Sequence, residues 1–415
     1  MRSTPVSGAP RVLFISDHFF PESFLGNEIP PALRSAGCRV DVLTQNPAYP
    51  EGEIYEGEAN PFFRITRMDG IRVFRFLTVT GYRDSVPRKV ANYLSFMVLS
   101  SLFALVAAPA YDAVFVYHVG TLTEALPLFI AKRLYGKRTS IWTLDIWPDT
   151  VFSFGFRRTR WLAALLDAFA SAIYRSCDAV LVGSPGFVER IGAYRPRSGR
   201  PLFVPHWAPA ELFESGEMPF ELDRASTNFV FAGNVGTQQN LEILVDAFGR
   251  PGPEGADVTL HIVGNGRSLE GLKQRARNLD AARVVFHDRI PQTRVLALLR
   301  SADACVLPLK SDTSVELTLP SKFQAYLHAG RPILCVAGGE SKRMVEAHDL
   351  GEAAEPDSLP SVVAAIGRIC AYSEERKAGI RERMLGLARG SFRREAALEL
   401  IRRAITGSPG DGTNA

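Results

Sequence analysis

Paired cysteine chemistry is missing from this sequence. Cys38, Cys177, Cys305, Cys335 and Cys370 stand apart, with no C-x-x-C step and no Cys/His pair at metal-ligand spacing, which argues against a structural zinc and a disulfide framework and for a reducing compartment. A hydrophobic signal core is absent from MRSTPVSGAP, so no export is expected. Charge of one sign is scarce: 48 Lys plus Arg against 44 Asp plus Glu leave a net +4. No nucleic-acid-binding motif or basic-aromatic stripe accompanies it, so nucleic acid is not an expected partner. Several catalytic signatures are missing too. The lone Gly-x-Gly, Gly264-Asn265-Gly266, has Leu269 where a dinucleotide fingerprint needs its third glycine, and it reads as a strand-end turn. There is no Walker lysine, no G-x-S-x-G elbow and no Asp-x-Asp pair, hence no obvious carboxylate clamp for a metal.

What is present describes a folded chain: 46% hydrophobic and 22% charged residues are globular proportions, and 415 residues exceed one ordinary core. Short apolar or β-branched runs at Val12 to Ile15, Val40 to Thr44, Val73 to Phe76, Ala113 to Tyr117, Thr139 to Thr143 and Ala179 to Val182 alternate with helical stretches such as Ile29 to Ala36, Thr123 to Arg133 and Trp161 to Arg175. This is the pattern of a doubly wound α/β domain. A second series of strands, at Phe229 to Ala232, Val258 to Val263, Val284 to Phe286, Ala304 to Leu307 and Pro332 to Val336, predicts a twin. The expected division is a Rossmann-like domain over 1–205, a linker over 206–227, a second Rossmann-like domain over 228–406 and a disordered tail over 407–415.

The stretch Ser301 to Gly339 is built to receive an anion. A strand over Ala304 to Leu307, a polar loop, a helix starting near Pro320 and a strand after Gly330 form a βαβ unit. In such a unit the ligand lies at the carboxyl ends of the strands, where the amides of Ser321, Lys322 and Phe323 and the Lys322 ammonium would meet it.

The basic excess lies in the amino-terminal half, 23 against 19 in the first 215 residues and 15 against 8 between Arg83 and Arg200, which suits an anionic membrane surface or a phosphate-bearing substrate. Val90 to Ala108 is nearly all apolar and long enough to span a bilayer. A span would put strands of one sheet on opposite sides of the membrane, so two readings remain. One is a buried core helix; the other is a helix lying in the membrane interface, with Arg83, Arg88 and Lys89 before it.

Five segments, FFPESFLGNEIPPALRSAGCRVDVLTQNPAYPEGEIYEG, WTLDIWPDT, FVPHWAPAELF, FAGNVGTQQNLEILVDAF and LPSKFQAYLHAGRPIL, occur in the order in which they occur in the family 4 retaining glycosyltransferases of GT-B fold. The chain resembles the WbuB-like branch of these bacterial surface-polysaccharide enzymes over nearly its whole length. The resemblance implies an α/β GT-B fold, two Rossmann-like doubly wound domains facing each other across a cleft. It also implies transfer of a hexosyl or acetylaminohexosyl group, with retention, from a nucleoside-diphosphate sugar, with UDP the expected nucleotide. The implied acceptor is a lipid-linked or growing saccharide at the cytoplasmic membrane face, in capsule, O-antigen (lipopolysaccharide) or exopolysaccharide synthesis.

No cofactor or metal is expected. By position, Asp145 and Lys322 are the expected catalytic residues. Gly233, Asn234, Gly236, Gln239, Glu316, Pro320, Ser321 and Gln324 would bind diphosphate and ribose, and Arg289 and Ile290 the base. Gly26, Asn27 and Trp147 would lie on the acceptor side. Asn234 and Gln239 stand where many members have Arg and Lys, which places more of the phosphate charge on Lys322. Ala325 replaces a paired glutamate, and Leu144 a sugar-contacting His. Two alternatives stay open, a catalytically silent nucleotide-sugar-binding scaffold and a nucleotide-sugar epimerase.

Overall fold

The computed structural model describes residues 9–153, 157–214, 216–250, 257–279, 281–311 and 316–407. The chain divides into two compact units, one made of the residues up to Val204 together with those from Leu398, the other of Pro205–Ala397.

The first unit contains β1 (Arg11–Ile15), α1 (Ile29–Ser35), β2 (Arg39–Gln45), β3 (Phe63–Met68), β4 (Ile71–Phe76), α2 (Val86–Ala107), β5 (Ala113–His118), α3 (Leu126–Tyr135), β6 (Arg138–Thr143), α4 (Asp149–Ser153), α5 (Arg160–Tyr174), β7 (Ala179–Val182), α6 (Gly186–Gly192) and β8 (Leu202–Phe203). Its sheet runs β3-β4-β2-β1-β5-β6-β7-β8. All pairs are parallel except the β3–β4 hairpin, whose turn residues Asp69 and Gly70 both have positive φ, 49° and 77°, as an Asp-Gly type I′ turn requires. The continuous apolar runs of β1 and β5 are buried on both faces, the mark of central parallel strands.

The second unit contains β9 (Thr227–Ala232), α7 (Leu241–Phe248), β10 (Val258–Val263), α8 (Leu269–Asn278), β11 (Val284–His287), α9 (Gln292–Ser301), β12 (Ala304–Pro308), α10 (Lys322–Ala329), β13 (Ile333–Val336), α11 (Gly339–Ala347), β14 (Gly351–Ala354), α12 (Leu359–Cys370) and α13 (Glu374–Arg389), and α14 (Arg394–Thr406) carries the chain back to the first. Its sheet is wholly parallel, in the order β11-β10-β9-β12-β13-β14. Strand order reverses between β1 and β5 in one unit and between β9 and β12 in the other. At such switch points the loops leaving neighbouring strands diverge and open a crevice for a ligand.

Every strand read from the sequence is present within a residue or two, and three more, β3, β8 and β14, join the sheets. Other expectations need correction. The segment 206–227 belongs to the second unit, where Phe220 stacks on His287 at 3.7 Å. The carboxyl-terminal helix does not stay in the second unit: Ile401 and Ile405 are buried, and Arg138 Nε donates to the Ala404 carbonyl at 3.2 Å. The helix expected over Thr123 to Arg133 is a 3-10 turn, Leu122–Ala125, followed by α3 with Pro127 in its first turn. Of the expected tail, Gly407 closes α14 by donating to Arg403, and 408–415 lie outside the described residues.

The long apolar stretch of the sequence is α2. It joins β4 to β5, two strands of one sheet, and it is inside out. Asn92, Ser100 and Ser101 are buried with Phe96 and Ala104, whereas Val86, Val90, Leu94, Val98, Leu102, Leu105 and Val106 are exposed. Asn92 is held inward by the Val79 amide at 2.9 Å and the Gln45 side chain at 3.1 Å. A buried core helix would put the apolar residues inward.

Candidate active site

The expected anion site takes shape at the β9/β12 switch point. α10 begins at Lys322 with Ser321 before it, so Pro320 precedes the helix instead of opening its first turn. The Phe323 amide donates to the Pro320 carbonyl at 3.0 Å and is not free for a ligand, which narrows the expected amide set to Ser321 and Lys322. The Lys322 side chain reaches back over the end of β9. Its ammonium donates to Gln239 Oε1 and sits 4.2 Å from the centre of the Phe231 ring.

Residue 233, beside the ammonium, is glycine because of its backbone conformation. Its φ is +152° and an added Cβ would lie 3.8 Å from Lys322 Nζ. Gly264, at the end of β10, closes on the same loop, where a Cβ would strike the Gly233 carbonyl at 2.0 Å. The Gly-x-Gly pair is thus a packing device between two strand ends. The loop is tied to the switch point by the Lys310 amide, which donates to the Gln238 carbonyl at 3.0 Å.

Loss of water around the Lys322 ammonium lowers its pKa to about 7. A ring face and one neutral amide oxygen are weak compensation for that loss. A polyanion at this place would supply the missing compensation. Gln324, in the first turn of α10, is buried and its Oε1 has no hydrogen-bond partner, which costs about 1–3 kcal/mol until a donor arrives.

The other expected donor-side residues are more dispersed. Asn234 is exposed and Gly236 partly buried on the β9 loop. Glu316 lies one strand further along, where its Oε1 would be 2.9 Å from a Cβ at Gly338; it borders a surface cavity of about 550 Å³ with Lys342 and Arg343. Arg289 and Ile290 follow β11, the former exposed and the latter half-buried. Among the described residues, no hydrogen bond or ion pair joins these three to Lys322.

The first unit carries an acid-rich cluster at its own switch point. Asp17 follows β1 and its amide donates to Glu124 Oε2 at 2.9 Å, from the 3-10 turn after β5. Burial raises the pKa of both carboxyls; the Asp17 charge pushes that of Glu124 up further, whereas the hydrogen bond with Glu124 works against the rise at Asp17. His18 contacts Asp17 at 3.7 Å and Glu22 at 3.0 Å, and Glu22 in turn accepts from the amides of Ala48 and Tyr49 at 2.8 and 2.7 Å. Burial disfavours the His18 imidazolium, but these two carboxylates outweigh it and the pKa rises. Asp145, just after β6, is only partly buried. Burial, and after it the Asp17 charge, push its carboxyl up to about 7. Such a carboxylate is a competent proton acceptor at neutral pH.

The expected acceptor-side residues make structural contacts. Trp147 is 4% exposed and meets Phe169 edge to face at 5.7 Å, because the chain turns inward before α4. Gly26 is buried under Tyr117, whose ring atoms would lie 2.5 Å from an added Cβ. Asn27 braces the loop between β1 and α1, accepting from the Phe20 amide at 3.1 Å and donating to the Glu22 carbonyl at 2.6 Å. Sequence reasoning missed Phe231, which reads as core, and Asp17 with Glu124, each an isolated acid. Their position just past a predicted strand end at the switch point is the signal that would have found the pair.

Two doubly wound units, each with charged groups at its switch point, define the GT-B class, and comparison with known proteins agrees. Residues 226–371 match the family model of glycosyl transferases group 1, and residues 28–207 that of the glycosyl transferase 4-like domain. No curated protein matches the sequence. In structure the chain is similar to sucrose-phosphate synthase from Thermosynechococcus elongatus (18% identity, TM-score 0.65, covering 94% of this chain and 97% of that one). It is also similar to WaaG, a glycosyltransferase involved in lipopolysaccharide biosynthesis (15%, 0.63, 96% and 100%), and to HepE of Anabaena in complex with UDP (14%, 0.63, 94% and 98%). The chain is a glycosyltransferase of GT-B type. Its first half is a glycosyl transferase 4-like domain and its second a group 1 domain.

Proposed function

We propose that the protein transfers a sugar from a UDP-sugar to a lipid-linked saccharide at the cytoplasmic face of a membrane, with retention of configuration, as a member of the WbuB-like branch. The observation that carries the donor assignment is the Lys322 ammonium, held over the end of β9 by Gln239 and Phe231 without a carboxylate partner among the described residues. A donor diphosphate there meets the helix start of α10 and one full charge in a partly dehydrated place, where charge growing on the leaving group is opposed without reorganisation. UDP is favoured because similar structures contain it, HepE with UDP and a trehalose-6-phosphate structure from E. coli with UDP-2-fluoro glucose.

The acceptor hydroxyl belongs with the carboxylates of the first unit. Asp145 orients it and takes up its proton, or shares that role with the departing diphosphate, whose oxygen lies on the same face as the attack when configuration is retained. The membrane setting is supported by the inverted burial of α2. A panel of nucleotide sugars incubated with a polyprenyl-diphosphate-linked saccharide extract, read by mass spectrometry, should show one UDP-sugar consumed and one saccharide grown by its mass. Binding of donors with no transfer to any acceptor would favour a scaffold, and conversion of the sugar without acceptor would favour an epimerase.

A further inference from the structure

α5 carries a second outward apolar face. Trp161 is 70% exposed and Leu165 59% exposed, and Ala164 and Ala168 are exposed between and beyond them. The spacing is one stripe of a helix. On the inward side Ala170, Ile173 and Tyr174 are buried, so the helix has a core face already and this stripe is surplus to folding. Arg157, Arg158 and Arg160, all exposed, stand at the amino end of the helix, and its first turn holds no acid. Three cations at the positive end of a helix dipole oppose it; an external anion removes the conflict.

The stripe is not alone on its side of the sheet. The crossovers from β4 to β5, β5 to β6 and β6 to β7 all run in one direction across the sheet. Right-handed connections therefore place α2, α3 and α5 on one face. α2 packs on α3 and α3 on α5, and the Tyr135 hydroxyl donates to the Leu105 carbonyl. The exposed side chains of α2 are apolar as well, with Arg88 exposed at its amino end and again no acid in the first turn.

We propose that Trp161 and Leu165 form a membrane-inserting wedge, with Arg157, Arg158 and Arg160 seated on anionic lipid headgroups. The wedge gives the first unit two points of contact with the bilayer, α2 and α5, and so fixes its orientation on the surface. The inference rests on the membrane reading of α2 above and adds the second contact. A tryptophan flanked by arginines suits the interface, where an apolar ring inserts and cations stay with phosphate.

The test uses intrinsic fluorescence. Of the four tryptophans, Trp142, Trp147 and Trp207 are buried and Trp161 is exposed, so the emission change on lipid binding reports Trp161. With the full chain and phosphatidylglycerol vesicles, the expected result is a blue shift and quenching by brominated acyl chains, both lost in Trp161→Phe, which keeps the apolar contact. Replacing Arg157, Arg158 and Arg160 together with Gln should lower the partition coefficient about a hundredfold, and salt should do the same to the unaltered protein. Vesicle binding without quenching of Trp161 would overturn the wedge and leave α2 as the sole contact. No vesicle binding at all would overturn the membrane reading itself. Dimerisation abolished by Trp161→Ala, without quenching by lipid, would assign the face to a second copy and overturn the proposal.

Discussion

Lys322→Ala lowers turnover about a hundredfold to a thousandfold, the loss of roughly 2.7 to 4 kcal/mol typical of removing one preorganised charge-stabilising donor. Donor affinity falls much less. The reason is the site's construction: the ammonium stands on an aromatic ring beside a glycine loop, with Gln239 as its hydrogen-bond acceptor. Asn234 and Gln239, neutral side chains, stand on the loop beside the ammonium. Lys322→Arg keeps the charge on a larger planar group, and partial activity is expected. Single-turnover kinetics with saturating donor separate the chemical step from binding. Near-normal turnover in a folded Lys322→Ala protein would make Lys322 a structural lysine and move the diphosphate elsewhere.

The second large effect is at Asp145. Asp145→Asn lowers kcat/KM about a hundredfold, the lower end for loss of a positioned acid-base group, and removes one limb of the pH profile. The sign follows from the raised pKa. With its carboxyl at about 7, the unaltered enzyme gains activity as pH rises through that value and the carboxylate forms. The asparagine variant, neutral throughout, is flat over that range. The variant should fold normally, because no hydrogen bond or ion pair is seen at the Asp145 side chain among the described residues. A rising limb that persists in Asp145→Asn belongs to another group of the cluster, with Asp17 and Glu124 the first to replace in turn.

The two sheets were legible because central parallel strands are continuous apolar runs. β3 alternates exposed and partly buried residues at a sheet edge, β8 is two residues long, and β14, Gly-Glu-Ala-Ala, lacks the β-branched content of a strand. Lys322 could be found from its helix start, since Pro-Ser-Lys after a strand and a polar loop is a local signal. Its surroundings could not. Gln239 lies 83 residues away, and Phe231 is indistinguishable in sequence from Phe229, the other core aromatic of β9.

The acid cluster was hidden for the same reason, because Asp17 and Glu124, 107 residues apart, meet only once β1 and β5 are neighbours. Trp147, Gly26 and Asn27 have packing and bracing contacts that the sequence does not show. A tryptophan or a glycine beside a motif suggests contact with a ligand, yet packing against Phe169 and Tyr117 accounts for two of them and loop bracing for the third. α2 shows that composition gives the apolar length of a helix and leaves open which side faces out; the buried Asn92, Ser100 and Ser101 decide that.

The central claim is that the donor diphosphate lies against Lys322, and proton uptake on binding tests it most directly. Free Lys322, with its pKa at about 7, is about half neutral at pH 7; a bound anion raises that pKa and draws a proton in. An intact UDP-sugar, whose diphosphate does not itself titrate near neutrality, is titrated into the protein by calorimetry at pH 7 in buffers of different ionisation enthalpy. Uptake of about half a proton is expected, fading as pH falls below about 6 and absent in Lys322→Met. Binding of equal affinity in both proteins with no proton uptake in either would contradict the account.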